Sequence, residues 1–523
     1  MGRSLGVVAA GSQQTAQAAA EVLRAGGNAC DAAVGACFAT QAGEPSLTSL
    51  GGGGVMIHKQ AASGKFEICD FFVNAPGLGA PEDAELEFFP VELAFGPARQ
   101  VFYIGRGSAA VPGALPGLCD AQQRWGRLKL AEVVRPACRM LREGVRIDDY
   151  QVSCFQLLEP ILLHTPENRA IFTLDGEHLM HSGDLYANPA LADTLEEMAA
   201  ASDWRAWHRS VIEPAVLEGF GPHRGGRITR EDLGRYRVEY RQPLELQHAR
   251  GRILLNPPPS AGGRLIALML SLIEKGAGLR SASWGSARHL RAMRAAMQVA
   301  EESRVRTDLG PELLRERFSA LLGSPAPGDL ARRPGGHGST THVSVIDADG
   351  GGAAVTLSHG EANGYQIGQT GITMNNEMGE TDLLPGGFET WRAGARLATM
   401  MCPSAVETLD GSLSLLGTGG SSRIRTSIFQ VIVNLLELGL SPEQAVCAGR
   451  IHWESGVLNA ETFDLPGGTA GLEPIAVAGE KRVLFDSAHL FFGGVHLAHR
   501  GADGQLGGAG DPRRSGVLQI VTD

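Results

Sequence analysis

Apolar residues recur at helical spacing over much of the first half of the chain. From Gln13 to Arg24, alanines and leucine follow this spacing and stop before Gly26-Gly27, a good helix terminus. A second apolar helix is predicted from about Asp31 to Ala42. Residues 120 to 300 are rich in the same pattern, and Arg288 to Arg304 is its longest clear case. The first half is therefore predicted to be mainly helical.

A strand pair is predicted further along, directly after a segment without periodicity. Between about residues 307 and 338 the pattern weakens into SPAPGDLARRPGGHGS, whose prolines and glycines indicate a mobile linker. Thr340 to Ile346 then alternates as a strand, residues 347 to 351 turn, and Ala353 to Ser358 returns. The strand pair therefore begins where the linker ends.

Three further segments combine strands with sharp turns. Arg252 to Leu255 is strand-like and runs into residues 256 to 263, a proline-rich rigid turn that we expect no helix or central strand to contain. Leu413 to Leu416 is a short strand, GTGGSSR is a turn, and Thr426 to Leu438 is a helix. Ser441 then caps another helix, with Pro442 at its first position and Gln444 at the capping-box position. Glycine clusters such as GGGG at 51 to 54 mark tight turns and close backbone approaches.

Composition excludes several classes of function. The 523 residues, 43% hydrophobic and 20% charged, are typical of a globular protein. A net charge of -11 without a basic run argues against a nucleic-acid partner. The amino terminus lacks the pattern of a secretory signal, and no 18-residue apolar stretch occurs, so we expect no membrane partner and a cytoplasmic location.

The residues that usually hold metals or activate serines are not in the required patterns. The eight cysteines form no CxxC pair and lie mostly in apolar segments, which indicates reduced, buried thiols. There is no HExxH, no Cys/His cluster at zinc-finger spacing and no GxSxG placed on a strand-turn-helix. No metal and no cofactor are therefore expected.

The Ser339-Thr340 bond is the strongest candidate for chemistry. A hydroxyl nucleophile needs a nearby base, and chain cleavage before a threonine supplies one on the same residue. The freed α-amine has a pKa of about 7.7 to 8.0, so it accepts the hydroxyl proton near neutral pH. Thr340 begins a strand and follows a flexible segment, as this chemistry requires. By spacing alone, such a threonine is more often only the first residue of a strand.

Sequence motifs give the assignment its specificity. The run from Thr340 to Asp347, TTHVSVID, resembles the TTHxSVxD signature that opens the small subunit of gamma-glutamyltransferases, which are N-terminal-nucleophile hydrolases. Other segments match the same family in order along nearly the whole chain: Gly26 to Val34, Gly51 to Gly54, Val111 to Gly113, Pro257 to Ser260, Asn375-Asn376 and Gly417 to Arg423.

The resemblance implies an α+β fold, a four-layer αββα sandwich of two sheets between helical layers. Residues 1–339 and 340–523 are then the large and small chains of one precursor, intertwined as a single structural unit and possibly assembled further. Cleavage would fall between Ser339 and Thr340, giving a heterodimer. The implied partners are a small-molecule amide and either water or an amine acceptor.

The resemblance also implies catalytic roles. Thr340 attacks its own preceding carbonyl and later the substrate amide, Ser358 hydrogen-bonds the α-amine, and Thr356 lies on the same strand. Backbone amides of Gly420 and Ser421 form the oxyanion hole, although the bland alternative is a mere strand-to-helix turn. We expect His342 to point to the opposite face as a packed or hydrogen-bonded residue.

The substrate-binding positions depart from the family pattern. Phe72 occupies the place of an arginine that grips the substrate's α-carboxylate, and a neutral ring supplies no bidentate fork. Further departures are Gly360 for Asn, Gln369 for Glu, Glu377 for Gln, Glu380 for Asp, and Met400, beside Thr399, for Ser. Substitute arginines would be Arg392, Arg396, Arg423 or Arg425, although a surface or structural role is the more common one. The stretch from Glu380 to Arg396 is also shorter than the family's lid, which predicts a more open site.

Amide hydrolysis or acyl transfer through a threonyl ester is therefore the first functional hypothesis. Gamma-glutamyl compounds such as glutathione are the default substrates. One alternative is a hydrolase of a different acyl amide, without a transfer step. Another is an uncleaved, inactive homologue that serves as a binding or scaffold protein.

A denaturing gel tests the cleavage. We expect fragments of 339 and 184 residues, about 36 and 19 kDa in proportion to the 55.1 kDa chain. Thr340→Ala should leave only the full-length band, because the attacking oxygen is removed. A single 55.1 kDa band for the unaltered protein would favour the scaffold hypothesis. A short fragment beginning at any residue other than Thr340 would exclude the proposed nucleophile.

Overall fold

The computed structural model describes residues 3–81, 84–95, 98–306, 309–326, 339–380, 383–384, 387–388 and 390–523. Its α-helices are α1 (Gln13–Arg24), α2 (Ala29–Gly43), α3 (Ala114–Trp125), α4 (Leu130–Glu143), α5 (Asp149–Leu162), α6 (Pro166–Phe172), α7 (Pro189–Ala200), α8 (Trp204–Phe220), α9 (Arg230–Arg235), α10 (Ala261–Leu272), α11 (Ala287–Val305), α12 (Pro311–Gly323), α13 (Arg423–Leu436) and α14 (Pro442–Cys447).

The strands are β1 (Ser4–Ala10), β2 (Gly53–Lys59), β3 (Phe66–Phe71), β4 (Phe89–Phe95), β5 (Ala98–Ile104), β6 (Val145–Arg146), β7 (Leu185–Tyr186), β8 (Glu239–Arg241), β9 (Leu244–His248), β10 (Gly251–Leu255), β11 (Thr340–Asp347), β12 (Gly352–Ser358), β13 (Ser404–Thr408), β14 (Leu413–Gly417), β15 (Ile451–Glu454), β16 (Val457–Glu461), β17 (Lys481–Phe485), β18 (His496–Arg500), β19 (Leu506–Ala509) and β20 (Val517–Thr522).

Two large antiparallel sheets organise the molecule. The first has the order β20-β1-β11-β12-β2-β3-β8, so the predicted hairpin β11–β12 lies at its centre. The second has the order β19-β18-β14-β13-β10-β9. Both sheets combine strands from before and after residue 339, since β1, β2 and β3 join β11 and β12, and β10 joins β13. The two segments therefore form one intertwined unit.

Three layers of apolar side chains separate the four layers of secondary structure. Val343, Val345 and their neighbours on the first sheet pack against α1, α2 and α4. Ile346 joins apolar residues of both sheets in the space between them. Leu416 and its neighbours on the second sheet pack against α10, α11 and α13. Alternation along each strand sends one side chain to a helix layer and the next to the facing sheet. The predicted αββα sandwich is confirmed.

Local sequence explains where α1 and α2 begin. Ser12 caps α1 by accepting a hydrogen bond from the Thr15 amide, and the alanines of α1 are buried. Asn28 and Asp31 form a capping box at the start of α2, whose residues are all buried. The predicted bounds of α1 are confirmed, and those of α2 differ by one or two residues.

Two predictions about irregular segments were partly wrong. The proposed linker contains α12, Pro311–Gly323, which places Leu314, Phe318 and Leu321 in a buried face. Residues 307–308 and 327–338 of that linker lie outside the described residues. The rigid turn after β10 ends at Ser260, because α10 begins at Ala261. The strand β1 was not predicted, and it pairs with both β11 and β20.

The described structure agrees with the interpretation of the cysteines. All eight are free thiols, and seven are buried. Burial raises the pKa of Cys402 to about 11, which leaves the thiol protonated and unreactive. Among the described residues, no helix has both the length and the apolar character needed to cross a bilayer.

A buried ion network fastens the carboxyl-terminal part of the chain. Arg513 bonds Glu461 at 2.5 Å and Asp511 at 3.2 Å, and Arg450 bonds Asp511 at 2.6 Å. These side chains are at most 2% exposed. Their neighbour Arg514 contacts the predicted nucleophile, as described below. The network therefore supports the site as well as the fold.

Glu461→Ala should lower the free energy of unfolding by about 3 to 5 kcal/mol, because it leaves the buried Arg513 charge with less compensation. Asp193→Ala is the control, since it breaks an exposed pair with Arg142 and should lower the free energy of unfolding far less. Urea unfolding of both variants measures the difference. Equal losses of unfolding free energy in the two variants would show that the buried ion network stabilises the fold no more than an exposed ion pair does.

Candidate active site

The predicted scissile bond lies at the start of a central strand. Thr340 is the first residue of β11 and pairs directly with Ser358, the last residue of β12. The Ser358 hydroxyl donates a 3.0 Å hydrogen bond to the Ser339 carbonyl, the carbonyl of the bond to be cleaved. Thr340 is 4% exposed and Ser358 is 7% exposed. The bond is thus polarised and shielded from water.

A carboxyl group holds the other polar atoms of Ser339. The Ser339 amide donates to Glu361 Oε1 at 3.1 Å, and its hydroxyl donates to Oε2 at 2.5 Å. The amide of Glu361 itself donates to Asn376 Oδ1 at 2.7 Å. Burial raises the pKa of the Glu361 carboxyl to about 8, although the Ser339 hydrogen bonds oppose the shift. Charges on Arg514 and Arg423 oppose it further.

The predicted glycine turn packs against Thr340. A Cβ atom on Gly419 would lie 2.0 Å from the Thr340 carbonyl oxygen, so only glycine fits there. Arg514 Nη1 donates to the same oxygen at 3.1 Å. Gly420 and Ser421 adopt φ angles of 125° and 49°, and the turn leads into the first residues of α13. Amides at a helix start favour negative charge, so the turn is suited to an oxyanion.

His342 lies on the same strand face as Thr340, because alternation returns every second residue to one side. Its Nδ1 pairs with the Thr356 hydroxyl at 2.8 Å and its Nε2 with the Ser344 hydroxyl at 2.8 Å. The ring also covers Gly417 of the second sheet. The predicted opposite orientation was therefore wrong, while the hydrogen-bonded character is confirmed. Burial holds the pKa of His342 well below its usual range.

Thr341 faces the helical layer instead. Its hydroxyl donates to the Glu44 carboxyl at the end of α2, and Thr15 of α1 donates to the other oxygen at 2.8 Å. Burial raises the pKa of Glu44. This contact fixes the residue after the nucleophile to the helices.

Gly360 and two acidic residues lie beside Ser358. The Gly360 amide donates to the Ser358 hydroxyl oxygen at 3.1 Å, and its φ is 66°. A Cβ on Gly360 would lie 2.0 Å from Asn376 Oδ1 and 2.6 Å from Glu380 Oε1. Glu377 is 2% exposed, and burial raises its pKa to about 7. Hydrogen bonds with Ser358 and Gly360 lower that pKa in part.

Comparison with known proteins agrees with this arrangement. The family model described as Gamma-glutamyltranspeptidase matches residues 15–521. The chain belongs to the gamma-glutamyltranspeptidase family. An acylase ACY 1 proenzyme of Pseudomonas sp. (strain SE83) is 30% identical over 99% of this chain and 94% of the acylase. A glutathione hydrolase proenzyme of Escherichia coli (strain K12) is 29% identical over 97% of this chain and 90% of the hydrolase.

Solved structures support the fold. A cephalosporin acylase from Bacillus halodurans superimposes with a TM-score of 0.77 at 22% identity, covering 99% of this chain and 96% of the acylase. The family model and the relatives make the chain a member of a family of enzymes, and the structural likeness shows its fold, the αββα sandwich.

Phe72 stands where the family resemblance leads us to expect a carboxylate-binding arginine, and its side chain is buried. Phe72 is 1% exposed and belongs to the same apolar cluster as Met378, Leu384 and Met400. Its carbonyl accepts a 3.0 Å bond from the Tyr236 hydroxyl. The ring is therefore part of the core.

Three of the four candidate substitute arginines are bound to other groups of the protein. Arg396 bonds Asp70 Oδ1 at 2.6 Å and Asn74 Oδ1 at 2.7 Å. Arg425 bonds Glu301 and Glu454, each at 2.8 Å. Arg423 donates to the Phe491 carbonyl at 3.2 Å. Arg392 is exposed.

Two further predicted substrate residues lie together, and one lies elsewhere. Thr399 and Met400 line a cavity of about 330 Å³ with Ser260 and the adjacent turn. The Thr399 hydroxyl accepts from the Met401 amide at 3.0 Å, so it mainly shapes its own loop. Gln369 is exposed and lines a different cavity of about 390 Å³ beside α8. The structure does not bring it to Thr340. The predicted opening of the site depends on the stretch after Glu380, much of which lies outside the described residues.

Sequence reasoning did not identify Glu361, Glu44, Arg514 or Gly419 as individual site residues. The Asn375-Asn376 motif was recognised, and its role is now visible. Asn375 bonds Gly51 and Ala110 carbonyls at 2.7 and 3.0 Å, while Asn376 receives the Glu361 amide. The only sequence signal for Glu361 was its place three residues after Ser358.

Gly360→Asn restores the residue expected from the family resemblance, and we predict that it damages this site. Overpacking against Asn376 should cost about 1 to 3 kcal/mol of unfolding free energy and slow cleavage after Ser339. Gly479→Asn is the control, because Gly479 also has positive φ, 78°, but no atom within 4 Å of the added Cβ. Urea unfolding and a denaturing gel report both effects. If Gly360→Asn lowered the free energy of unfolding no more than the control does, the neighbouring side chains would be able to move aside without cost.

Proposed function

We propose that this protein is a self-cleaving amide hydrolase and acyl transferase that uses Thr340 as an N-terminal nucleophile. One observation carries the proposal: the Ser339 carbonyl is hydrogen-bonded by Ser358 at 3.0 Å, at the first residue of a rigid central strand. The glycine turn beside the Thr340 carbonyl adds support. The proenzyme names of relatives agree with a chain that matures by cleavage.

Maturation follows from this geometry. Thr340 Oγ adds to the Ser339 carbonyl carbon, the C–N bond breaks, and the hydroxyl proton passes to the departing nitrogen. The resulting ester joins Ser339 to the Thr340 side chain. Water hydrolyses the ester, which leaves a Ser339 carboxylate and a Thr340 that carries both a free amine and a hydroxyl. The two products remain together as large and small chains, because both contribute strands to each sheet.

Turnover uses the same oxygen. The α-amine of Thr340 accepts the hydroxyl proton while the oxygen adds to the substrate's amide carbonyl. Amides of Gly420 and Ser421, at the start of α13, stabilise the negative charge on the carbonyl oxygen. The leaving amine takes the proton, and water or another amine then releases the acyl group from the threonyl ester. Ser358, paired with Thr340, holds the α-amine in place.

For the acyl group, we propose an amide whose acyl part lacks the α-carboxylate of a gamma-glutamyl group. Phe72 is in the core, and Arg396 and Arg425 are bound to acidic side chains, so they offer no cation to a carboxylate. Burial of an uncompensated carboxylate is costly. Glu377 and Glu380 beside Gly360 still suit an ammonium group.

Sequence identity alone does not choose between these substrates. The relatives named acylase and those named glutathione hydrolase are 30% and 29% identical to this chain. The pocket residues are therefore the better guide. They favour a different acyl amide over the default of glutathione.

Four p-nitroanilides test the acyl preference, because they differ only in the charged groups of the glutamyl chain: gamma-glutamyl, 4-aminobutyryl, glutaryl and butyryl. We expect kcat/KM for the 4-aminobutyryl compound to exceed that for the gamma-glutamyl compound at least about tenfold. The gamma-glutamyl compound carries a carboxylate that has no cationic partner in this site, and a buried charge without its partner costs about 2 to 5 kcal/mol. Phe72→Arg should raise turnover of the gamma-glutamyl compound. The gel confirms that this variant still folds and cleaves.

The outcomes separate the hypotheses. A preference for the gamma-glutamyl compound would contradict the proposed acyl class and favour gamma-glutamyl compounds such as glutathione as substrates. A preference for the glutaryl compound would mean that a cation in the site binds its carboxylate, which contradicts the proposal. An uncleaved protein that is inactive on all four would support a scaffold role.

A further inference from the structure

Glu361 has no part in the chemistry described above, yet it makes the most direct contacts with the residue that precedes the scissile bond. Its two carboxyl oxygens receive the amide and the hydroxyl of Ser339. Together with the Ser358 bond to the carbonyl, every polar group of Ser339 is engaged. Glu361 is 2% exposed, so these bonds have no competing water.

We propose that Glu361 is a positioning residue for self-cleavage, which holds Ser339 so that its carbonyl carbon faces the Thr340 hydroxyl. The inference rests on the self-cleavage proposed above. It adds a residue that acts on the precursor through Ser339 and takes no part in bond making or breaking.

The geometry explains why such a residue is needed. Strand pairing fixes Thr340 through β11 and β12, but Ser339 precedes the strand and has no ladder partner within it. A misplacement of about 1 Å between reacting atoms is enough to slow an intramolecular attack strongly. The paired bonds to Glu361 fix the amide and side-chain ends of Ser339, while Ser358 fixes the carbonyl.

Glu361 is itself held on the opposite side. Its amide donates to Asn376, whose side-chain amide donates to the Tyr103 carbonyl at 3.3 Å. The next residue, Ala362, has a φ of 68°, which shows that the backbone is constrained at this turn. The carboxyl therefore projects from a rigid support.

The ionisation state of Glu361 should change the strength of its two hydrogen bonds with Ser339. Both Ser339 groups donate, so the ionised carboxylate is the better acceptor. Since burial raises its pKa to about 8, the fraction ionised grows as pH rises through that value. The charged or titratable groups around it are Arg514, Arg423, Cys154, Glu377, Glu380 and His359. Burial lowers the pKa of His359 to about 3, so it stays neutral in this range.

The test follows cleavage of the full chain after a pulse of cell-free synthesis, as loss of the 55.1 kDa band. Glu361→Ala should slow cleavage at least tenfold, and Ser339→Ala severalfold, because it keeps the amide contact. The double variant should be no slower than Glu361→Ala, since the hydroxyl then has no carboxyl to bind. Glu437→Ala, which removes a buried carboxyl bound to His248, should change the rate less than twofold.

The pH profile distinguishes a positioning role from a structural one. The wild-type rate should rise between pH 7 and 9, whereas Glu361→Gln, which does not ionise, should lose that rise. Circular dichroism checks that each variant is folded. If Glu361→Ala is not, the rate of Ser339→Ala and the pH profile of Glu361→Gln still test the proposal.

Three results would overturn the inference: cleavage of Glu361→Ala at the wild-type rate, a pH rise that persists in Glu361→Gln, or an effect of Ser339→Ala that persists in the Glu361→Ala background. Wild-type protein that never splits would instead defeat the proposed function itself. The two failures are therefore distinguishable on one gel.

Discussion

The pairing of Thr340 with Ser358 across β11 and β12 is the constraint on which the site depends. A shift of one residue would send every side chain of β11 to the other face of its sheet. The core prevents such a shift, because Val343 and Val345 pack against helices while Ile346 packs between the sheets. The hydrophobic pattern that builds the sandwich therefore also sets the orientation of Thr340, the proposed nucleophile.

Glycine clusters let other backbones reach this strand pair. A Cβ on Gly52 would lie 2.0 Å from the Ser358 carbonyl oxygen, and one on Gly419 equally close to that of Thr340. These glycines belong to the clusters at 51 to 54 and 417 to 420, which the sequence marked as close approaches. Contact at this distance brings both glycine turns against the paired residues Thr340 and Ser358, where side chains would otherwise intervene. Two of the chain's glycine clusters thus lie beside the candidate site.

Prediction from sequence succeeded where the signal was local or belonged to a specific motif. The helix α1 has periodic alanines and a glycine stop, and β11 carries both alternation and the TTHVSVID run. Prediction from sequence failed where contacts between residues far apart in the chain determine the structure. Glu361 meets Ser339 because a turn after β12 folds back, and Glu44 meets Thr341 from 297 positions away. Periodicity also missed α12, because its polar and apolar residues lie within a composition typical of a linker.

The charges around the site support the proposed choice of acyl group. Cations near the strand ends are already paired, as with Arg425 to Glu301 and Glu454, or held by backbone carbonyls, as with Arg514. The acidic residues Glu361 and Glu377 instead have raised pKa values, since burial outweighs the stabilisation that they receive. A cationic group entering here would relieve that cost, whereas an anionic group would increase it. The attack on an amide carbonyl needs neither charge, so the nucleophile and its glycine turn are compatible with acyl groups that a glutamyl-binding pocket would reject.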